Sequence, residues 1–237
     1  MLELKGAHTH IGPYHILQGV DLTAEEGRIT MLLGRNGAGK TTTLRTIMGL
    51  WRPSAGSVRF AGREIGGLAT AEIARAGIAY VPEEMAVFSQ LTVEENLRLA
   101  ARSGPIDRQR LDWVFHLFPA LETFWKKPSG LLSGGQKQML AIARAAIEPK
   151  RLVIVDEPTK GLAPSMILHV IEAFRQLKQA GATVLMVEQN FHCAKSLGDQ
   201  VAVMDQGRVA HRGSMADFAA DQALQSRLLG LSLDSHQ

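Results

Sequence analysis

Gly34-Arg35-Asn36-Gly37-Ala38-Gly39-Lys40-Thr41 fits the pattern G-x-x-x-x-G-K-[ST], a loop that binds phosphate when it joins a strand to a helix. Its flanks meet that condition. Ile29 to Leu33 is a short apolar run that reads as a buried strand, and Thr41 to Met48 reads as a helix with Gly49 placed to cap its end. The glycines allow successive backbone N–H groups to turn inward around a polyphosphate, and the helix N-terminus adds the positive end of its dipole. Lys40 would bring a point charge to the β- and γ-phosphates, and the Thr41 hydroxyl would be a Mg²⁺ ligand. Asn36, Gly37, Ala38, Gly39, Lys40, Thr41 and Thr42 are therefore the expected contacts to a nucleoside triphosphate.

Around this loop the first 80 or so residues alternate strand and helix. Leu2 to Leu4, Leu17 to Leu22, Val58 to Phe60 and Ile78 to Val81 read as strands, the last stopped by Pro82. From about Phe88 to Ile147 the pattern turns helical. Thr92-Val93-Glu94-Glu95 is a capping box, Asp107 caps a second helix, and the turn Gly130 to Gly135 feeds a third through Met139, Ile142 and Ile147. Leu152 to Val155 returns to a buried strand. Pro164 opens a helix with the apolar stripe Ile167, Val170, Ile171, Phe174 and Leu177, expected to be core. Thr183 to Val187 is another strand, and Val201 to His211 is a hairpin turning at Asp205-Gln206-Gly207. An amphipathic helical tail follows from Ser214. The expected fold is α/β: a phosphate-loop NTPase core over 1–87 and 148–237, with an antiparallel β subdomain, and a helical subdomain inserted over 88–147. The whole span 1–237 then forms one domain.

Composition narrows the function. The 237 residues are 46% hydrophobic, enough for a full core, yet no run is long enough to cross a bilayer. The N-terminal residues carry no signal-peptide pattern. The single cysteine, Cys193, excludes an internal disulfide, suits a reducing compartment, and reads as a small hydrophobe on a helix. A net charge of +3, with Lys and Arg dispersed, leaves no nucleic-acid footprint. The histidines lack metal-ligand spacing and read as surface or locally hydrogen-bonded groups. Trp51, Trp113 and Trp125 read as packing residues.

Asp156 and Glu157 end the apolar strand from Leu152, where open α/β sheets place their ligands. Asp156 there would hold Mg²⁺, directly or through water, and Glu157 would polarise the attacking water. Leu132-Ser133-Gly134-Gly135-Gln136 precedes this pair. With that stretch the sequence resembles the ATP-binding cassette family, whose signature motif matches Ser133, Gly134, Gly135 and Gln136. The order of phosphate loop, signature, carboxylate pair and switch region spans nearly the whole chain. The resemblance implies that two cassettes pair head to tail, each ATP lying between one subunit's phosphate loop and the other's signature.

Four positions depart from the commonest family pattern. Ile11 stands where an aromatic usually stacks on adenine; Tyr14 or His10 could substitute, or either is simply a surface residue. Glu83 replaces a glutamine and remains able to reach Mg²⁺. Ala163 lies near the place of an interface aspartate. Gln189 replaces the switch histidine; its amide can donate to a γ-phosphate but cannot carry a proton. Together, Val81-Pro82-Glu83, Gly161 to Pro164 and Val187 to Asn190 resemble one importer branch, the ATPases for branched-chain amino acids and related amides. The resemblance implies integral-membrane permeases, a second cassette, a periplasmic binding protein acting indirectly, and a place on the cytoplasmic face of the inner membrane. The alternatives are the ATPase of a lipid or lipopolysaccharide exporter and a soluble cassette acting on nucleic acid or ribosomes. The stretch Glu84 to Leu91 is the candidate permease contact, although Met85, Val87 and Phe88 equally suit a core.

Overall fold

In the computed structural model, which describes residues 1–101 and 104–230, the chain builds two sheets and packs helices on them. Strands β1 (Leu2–Ile11), β2 (Tyr14–Ala24), β4 (Ala55–Phe60) and β5 (Arg63–Glu64) form an antiparallel sheet in the order β2-β1-β4-β5. The second sheet contains β3 (Ile29–Gly34), β6 (Ile78–Val81), β7 (Leu152–Asp156), β8 (Thr183–Val187), β9 (Gln200–Asp205) and β10 (Arg208–Ser214). Its order is β10-β9-β3-β8-β7-β6, parallel throughout except for the edge strand β10.

Both faces of the parallel sheet are covered, so its strands are continuously apolar rather than alternating. Side chains still divide between the faces with period two. Met31, Val153, Val155, Val184, Met186, Val201 and Val203 enter a core shared with the helices. Leu32, Leu152, Ile154, Leu185, Val187, Ala202 and Met204 enter a second core, against the antiparallel sheet and helix α1 (Lys40–Ile47).

The remaining helices follow local signals. A short helix α2 (Thr70–Arg75) lies in the polar stretch that the sequence left without an element. Among the described residues, four α-helices rather than three separate β6 from β7: α3 (Val93–Ala100), α4 (Arg108–Leu117), α5 (Pro119–Thr123) and α6 (Gly134–Ala146). The additional one, α5, has only five residues and begins at a proline, too short for an apolar period to reveal. Thr92, Asp107 and Ser133 cap α3, α4 and α6 through their side-chain oxygens. Beyond β7 come α7 (Pro164–Gln179) with Pro164 in its first turn, α8 (Phe191–Leu197), α9 (Met215–Ala220) and α10 (Gln222–Leu229). In α7, Val170, Ile171, Phe174 and Leu177 are buried and Ile167 is half-buried. The tail expected as one helix is two, broken at Asp221, which caps the second. The residues after Gly230 lie outside the described ones.

Two glycines let separate parts of the chain approach the phosphate loop. Gly34 has φ +141°, and a Cβ there would stand 2.3 Å from the Met204 carbonyl oxygen. Gly207, at the β9–β10 turn, has φ +77°, and a Cβ would stand 2.1 Å from the Ile16 carbonyl oxygen. Through this contact Gln18 N–H donates to Gly207 O at 2.8 Å, and Gly207 N–H donates to Ala38 O at 3.0 Å. The hairpin therefore ties β2 to the loop.

Candidate functional site

The loop Arg35–Gly39 leaves the carboxyl end of β3 and enters α1. Its neighbours at the same edge come from other parallel strands: Glu83 after β6, Asp156 and Glu157 at the end of β7, Glu188 and Gln189 after β8. Register makes this convergence. Val81 pairs with Val155 and Asp156 with Val187, so each residue just beyond these pairs emerges on one rim, the ligand-binding rim of open α/β sheets.

An open cleft of about 360 Å³ lies on this rim. It is lined by Ile16, Asn36, Gly37, Gly39, Lys40, Thr41, Thr42, Glu83, Glu157, Lys160 and Gln189. Ile11, the position aligned with a base-stacking aromatic, lies at the β1–β2 turn and does not line the cleft. Ile16, five residues on, supplies the apolar wall there. Tyr14 is 69% exposed. His10 stacks on His15 with ring centroids 4.2 Å apart and donates to or accepts from Ser54 Oγ at 3.0 Å.

Lys40 is almost wholly buried; Nζ donates to Gly34 O at 2.8 Å and Arg35 O at 3.1 Å. Burial holds its pKa below the usual lysine range, with Glu157 and Asp156 pulling the other way. Thr41 Oγ1 donates to Asp156 Oδ1 at 3.3 Å, while Asp156 Oδ2 is buried without a hydrogen-bond partner. Burial pushes the Asp156 pKa up to about 6; the Thr41 hydrogen bond opposes this, and Glu157 and Glu83 add to it. An orphaned carboxylate oxygen beside a threonine hydroxyl is a hard-oxygen pair suited to a small divalent cation that keeps water and phosphate as its other ligands.

Glu157 is buried and has φ +48°, a left-handed conformation that is uncommon for a non-glycine residue. Gln189 Nε2 donates to Glu157 Oε1 at 2.5 Å. Glu157 Oε2 accepts no hydrogen bond; Lys160 Nζ is 3.6 Å from it and 2.5 Å from Glu83 Oε1.

Sequence reading assigned no role to Glu188 or Lys160. Glu188 is 2% exposed and accepts four hydrogen bonds: Thr159 N at 3.0 Å, Thr159 Oγ1 at 2.9 Å, and Gln189 N and Asn190 N at 3.1 Å each. It locks the turn after Glu157 to the segment carrying Gln189. The available signal was a carboxylate directly after the apolar run Val184 to Val187.

Ser133, Gly134, Gly135 and Gln136 stand apart from this cleft, at the N-terminus of α6. Ser133 Oγ accepts from Gln136 N at 3.3 Å, and Gln136 Oε1 accepts from Ser133 N at 2.9 Å. Ser133 and Gly134 are exposed, so this helix N-terminus is open to a second molecule. In the stretch after Glu83, Met85 and Val87 pack on the core while Phe88 is half exposed, with the Arg144 guanidinium 4.9 Å over its ring. Trp113 and Trp125 pack on the same core, and Trp51 is half-buried. Cys193 is buried in α8, where burial pushes its thiol pKa well up.

The family model described as ABC transporter matches residues 17–160. The chain belongs to the ABC transporter family. It is 38% identical over 232 residues to the high-affinity branched-chain amino acid transport ATP-binding protein BraG of Pseudomonas aeruginosa, covering 97% of this chain and 100% of that one. The probable branched-chain amino acid transport ATP-binding protein LivF of Archaeoglobus fulgidus is 36% identical, with 92% and 93% covered. The dimeric structure of a bacterial ABC transporter cassette superposes with a TM-score of 0.82 at 26% identity, covering 91% of this chain and 99% of that one. The fold is thus that of an ABC ATPase cassette, a nucleotide-binding ATPase coupled to transport. No helix among the described residues is long and apolar enough to cross a membrane.

Proposed function

We propose that this cassette hydrolyses ATP on the cytoplasmic face of the inner membrane to power uptake of branched-chain amino acids or related amides. The observation that carries the reading is the meeting of the phosphate loop, Asp156, Glu157 and Gln189 on one rim while the signature stays open on another surface. Similarity to BraG and LivF over nearly the whole chain supports the cargo class.

In this reading the amides of Asn36, Gly37, Ala38 and Gly39 cradle the phosphates, and Lys40 leaves its two carbonyl partners for the β- and γ-oxygens. Thr42 adds a contact beside Thr41, and Ile16, rather than Ile11, offers the nearer apolar surface. Mg²⁺, when bound, would offset phosphate charge; Thr41 and Asp156 fit its first ligands, with Glu83 in reach of the same region. Glu157, oriented by Gln189 Nε2, accepts the proton of the in-line water. A glutamine cannot shuttle that proton, so Gln189 orients Glu157 and reports the γ-phosphate through its amide. Ser133, Gly134, Gly135 and Gln136 of a second cassette, identical or not, complete the γ-phosphate cage. Hydrolysis removes the shared phosphate contact and with it the differential stability of the closed pair. Residues 88–147 form the signature-bearing helical subdomain, and half-exposed Phe88 marks the permease-facing surface. A periplasmic binding protein would act through the permease alone.

The experiment is co-purification of a tagged chain from detergent-solubilised native membranes. Two multi-span permeases and a second cassette are the expected partners, with leucine-stimulated ATP hydrolysis once the binding protein is added. Recovery of ribosomes, nucleic acid or an export permease would overturn the transport assignment while leaving the ATPase intact.

A further inference from the structure

Lys160 has no part in the chemistry described so far, yet it holds the two carboxylates that flank the phosphate end of the cleft. Glu83 follows β6 and Glu157 follows β7; because Val81 pairs with Val155 in parallel, the two acids emerge level with each other. The turn after β7 then folds back, with Lys160 N–H donating to Glu157 O at 3.1 Å. This return brings Nζ to 2.5 Å from Glu83 Oε1 and 3.6 Å from Glu157 Oε2. Glu157 Oε2 is otherwise a buried oxygen without a hydrogen-bond donor, and among the described residues Lys160 is the cation that pairs with it. Along the cleft lining, Glu83 and Glu157 face Lys40 and Lys160, with Asp156 fully buried beneath. Without Lys160, three carboxylates would confront an incoming triphosphate with Lys40 as the one lysine of the lining.

We propose that Lys160 is a positioning residue for ATP hydrolysis: it bridges Glu83 and Glu157, offsets the charge of Glu83, and aims the second oxygen of Glu157 at the attacking water. This proposal rests on the ATPase reading of the cleft given above. An ammonium has three donors, so one can hold Glu83, one can turn to Glu157, and the third remains for the cleft. The side chain is 58% exposed, and exposed ion pairs add little to stability. Substitution therefore leaves the fold intact and reports on function.

The test is a double-mutant cycle on steady-state MgATP hydrolysis by the 237-residue chain, with Lys160→Met, Glu83→Gln, the pair together, and Lys160→Arg. Lys160→Met should lower kcat about ten-fold, the scale of a modest misplacement of a reacting group, and change KM for ATP less than kcat. In the Glu83→Gln background the same change should cost less than about three-fold, because no uncompensated carboxylate is left beside Glu157. Lys160→Arg, which keeps charge and reach, should restore most of kcat. Equal losses in both backgrounds, an unchanged kcat, a loss confined to KM, or failure of arginine to rescue would each overturn the proposal. A wild-type chain without MgATPase activity, or a Glu157→Gln chain as active as wild type, would instead overturn the underlying reading and the proposal with it.

Discussion

Replacing Glu188 tests whether the site is held by buried hydrogen bonds or by packing alone. Its Oε1 accepts from Thr159 N, and its Oε2 accepts from Thr159 Oγ1, Gln189 N and Asn190 N. Burial pushes the carboxyl pKa up, and these hydrogen bonds pull against that shift. In Glu188→Gln, the amide oxygen can occupy the Oε2 position and keep three acceptances. The NH₂ group must then face Thr159 N–H, a donor against a donor. Thr159 is 4% exposed, so its amide cannot turn to water, and one orphaned buried donor costs about 1–3 kcal/mol. Glu188→Ala orphans both Thr159 donors and should cost about 2–6 kcal/mol on the same scale, whereas the half-exposed Asn190 and exposed Gln189 amides recover water. Thr159→Val, which removes one hydrogen bond and its donor together, should cost only about 1 kcal/mol. Urea unfolding followed by circular dichroism gives these differences from the midpoints when the slopes agree. The expected order of loss is Ala, then Gln, then Thr159→Val. A Glu188→Gln protein within about 0.5 kcal/mol of wild type, the range of an ordinary surface change, would refute the reasoning.

Glu157→Gln should bind MgATP but hydrolyse it far more slowly, eluting as a dimer from a sizing column equilibrated with MgATP; elution as a monomer while wild type dimerises would count against its role as base. Gln189→Ala should lower kcat more than it raises the dissociation constant for ATP, because Gln189 Nε2 is the hydrogen-bond donor to Glu157 Oε1; unchanged turnover in a coupled phosphate-release assay would remove Gln189 from the site. Cys193 is fully buried with its thiol pKa raised by burial, so the thiolate fraction is low at pH 8. Alkylation by iodoacetamide should accelerate only in urea concentrations that unfold the chain, and rapid labelling of the native protein would contradict the packing of α8. Gly207→Ala should lower the melting temperature and weaken ATP binding together, since its Cβ would meet the Ile16 carbonyl at 2.1 Å beside the cleft wall; a variant that melts and binds as wild type would show that the hairpin does not brace the loop.

Local chemistry made much of this protein legible in its residues. The phosphate loop is a contiguous pattern, its glycines and lysine needed at fixed spacing by one short turn. Thr92, Asp107 and Ser133 cap helices through hydrogen bonds to residues three positions on, a range that spacing reveals directly. The apolar runs of β3, β7 and β8 announced strands buried on both faces. Short elements escaped: α2 has six residues and α5 five, too few for a helical period to stand out.

Which residues meet across the chain was decided only by tertiary structure. Glu83 and Lys160 lie 77 positions apart, and their pairing depends on the parallel register of β6 with β7. The Glu188–Thr159 clamp depends likewise on β7 beside β8. Ile16, not Ile11, lines the cleft, and the β9–β10 turn meets β2 at that residue, with Gly207 against the Ile16 carbonyl. A motif records the chemistry of consecutive residues. The neighbours that orient that chemistry are chosen by sheet order and close packing, and neither leaves a local period in the sequence.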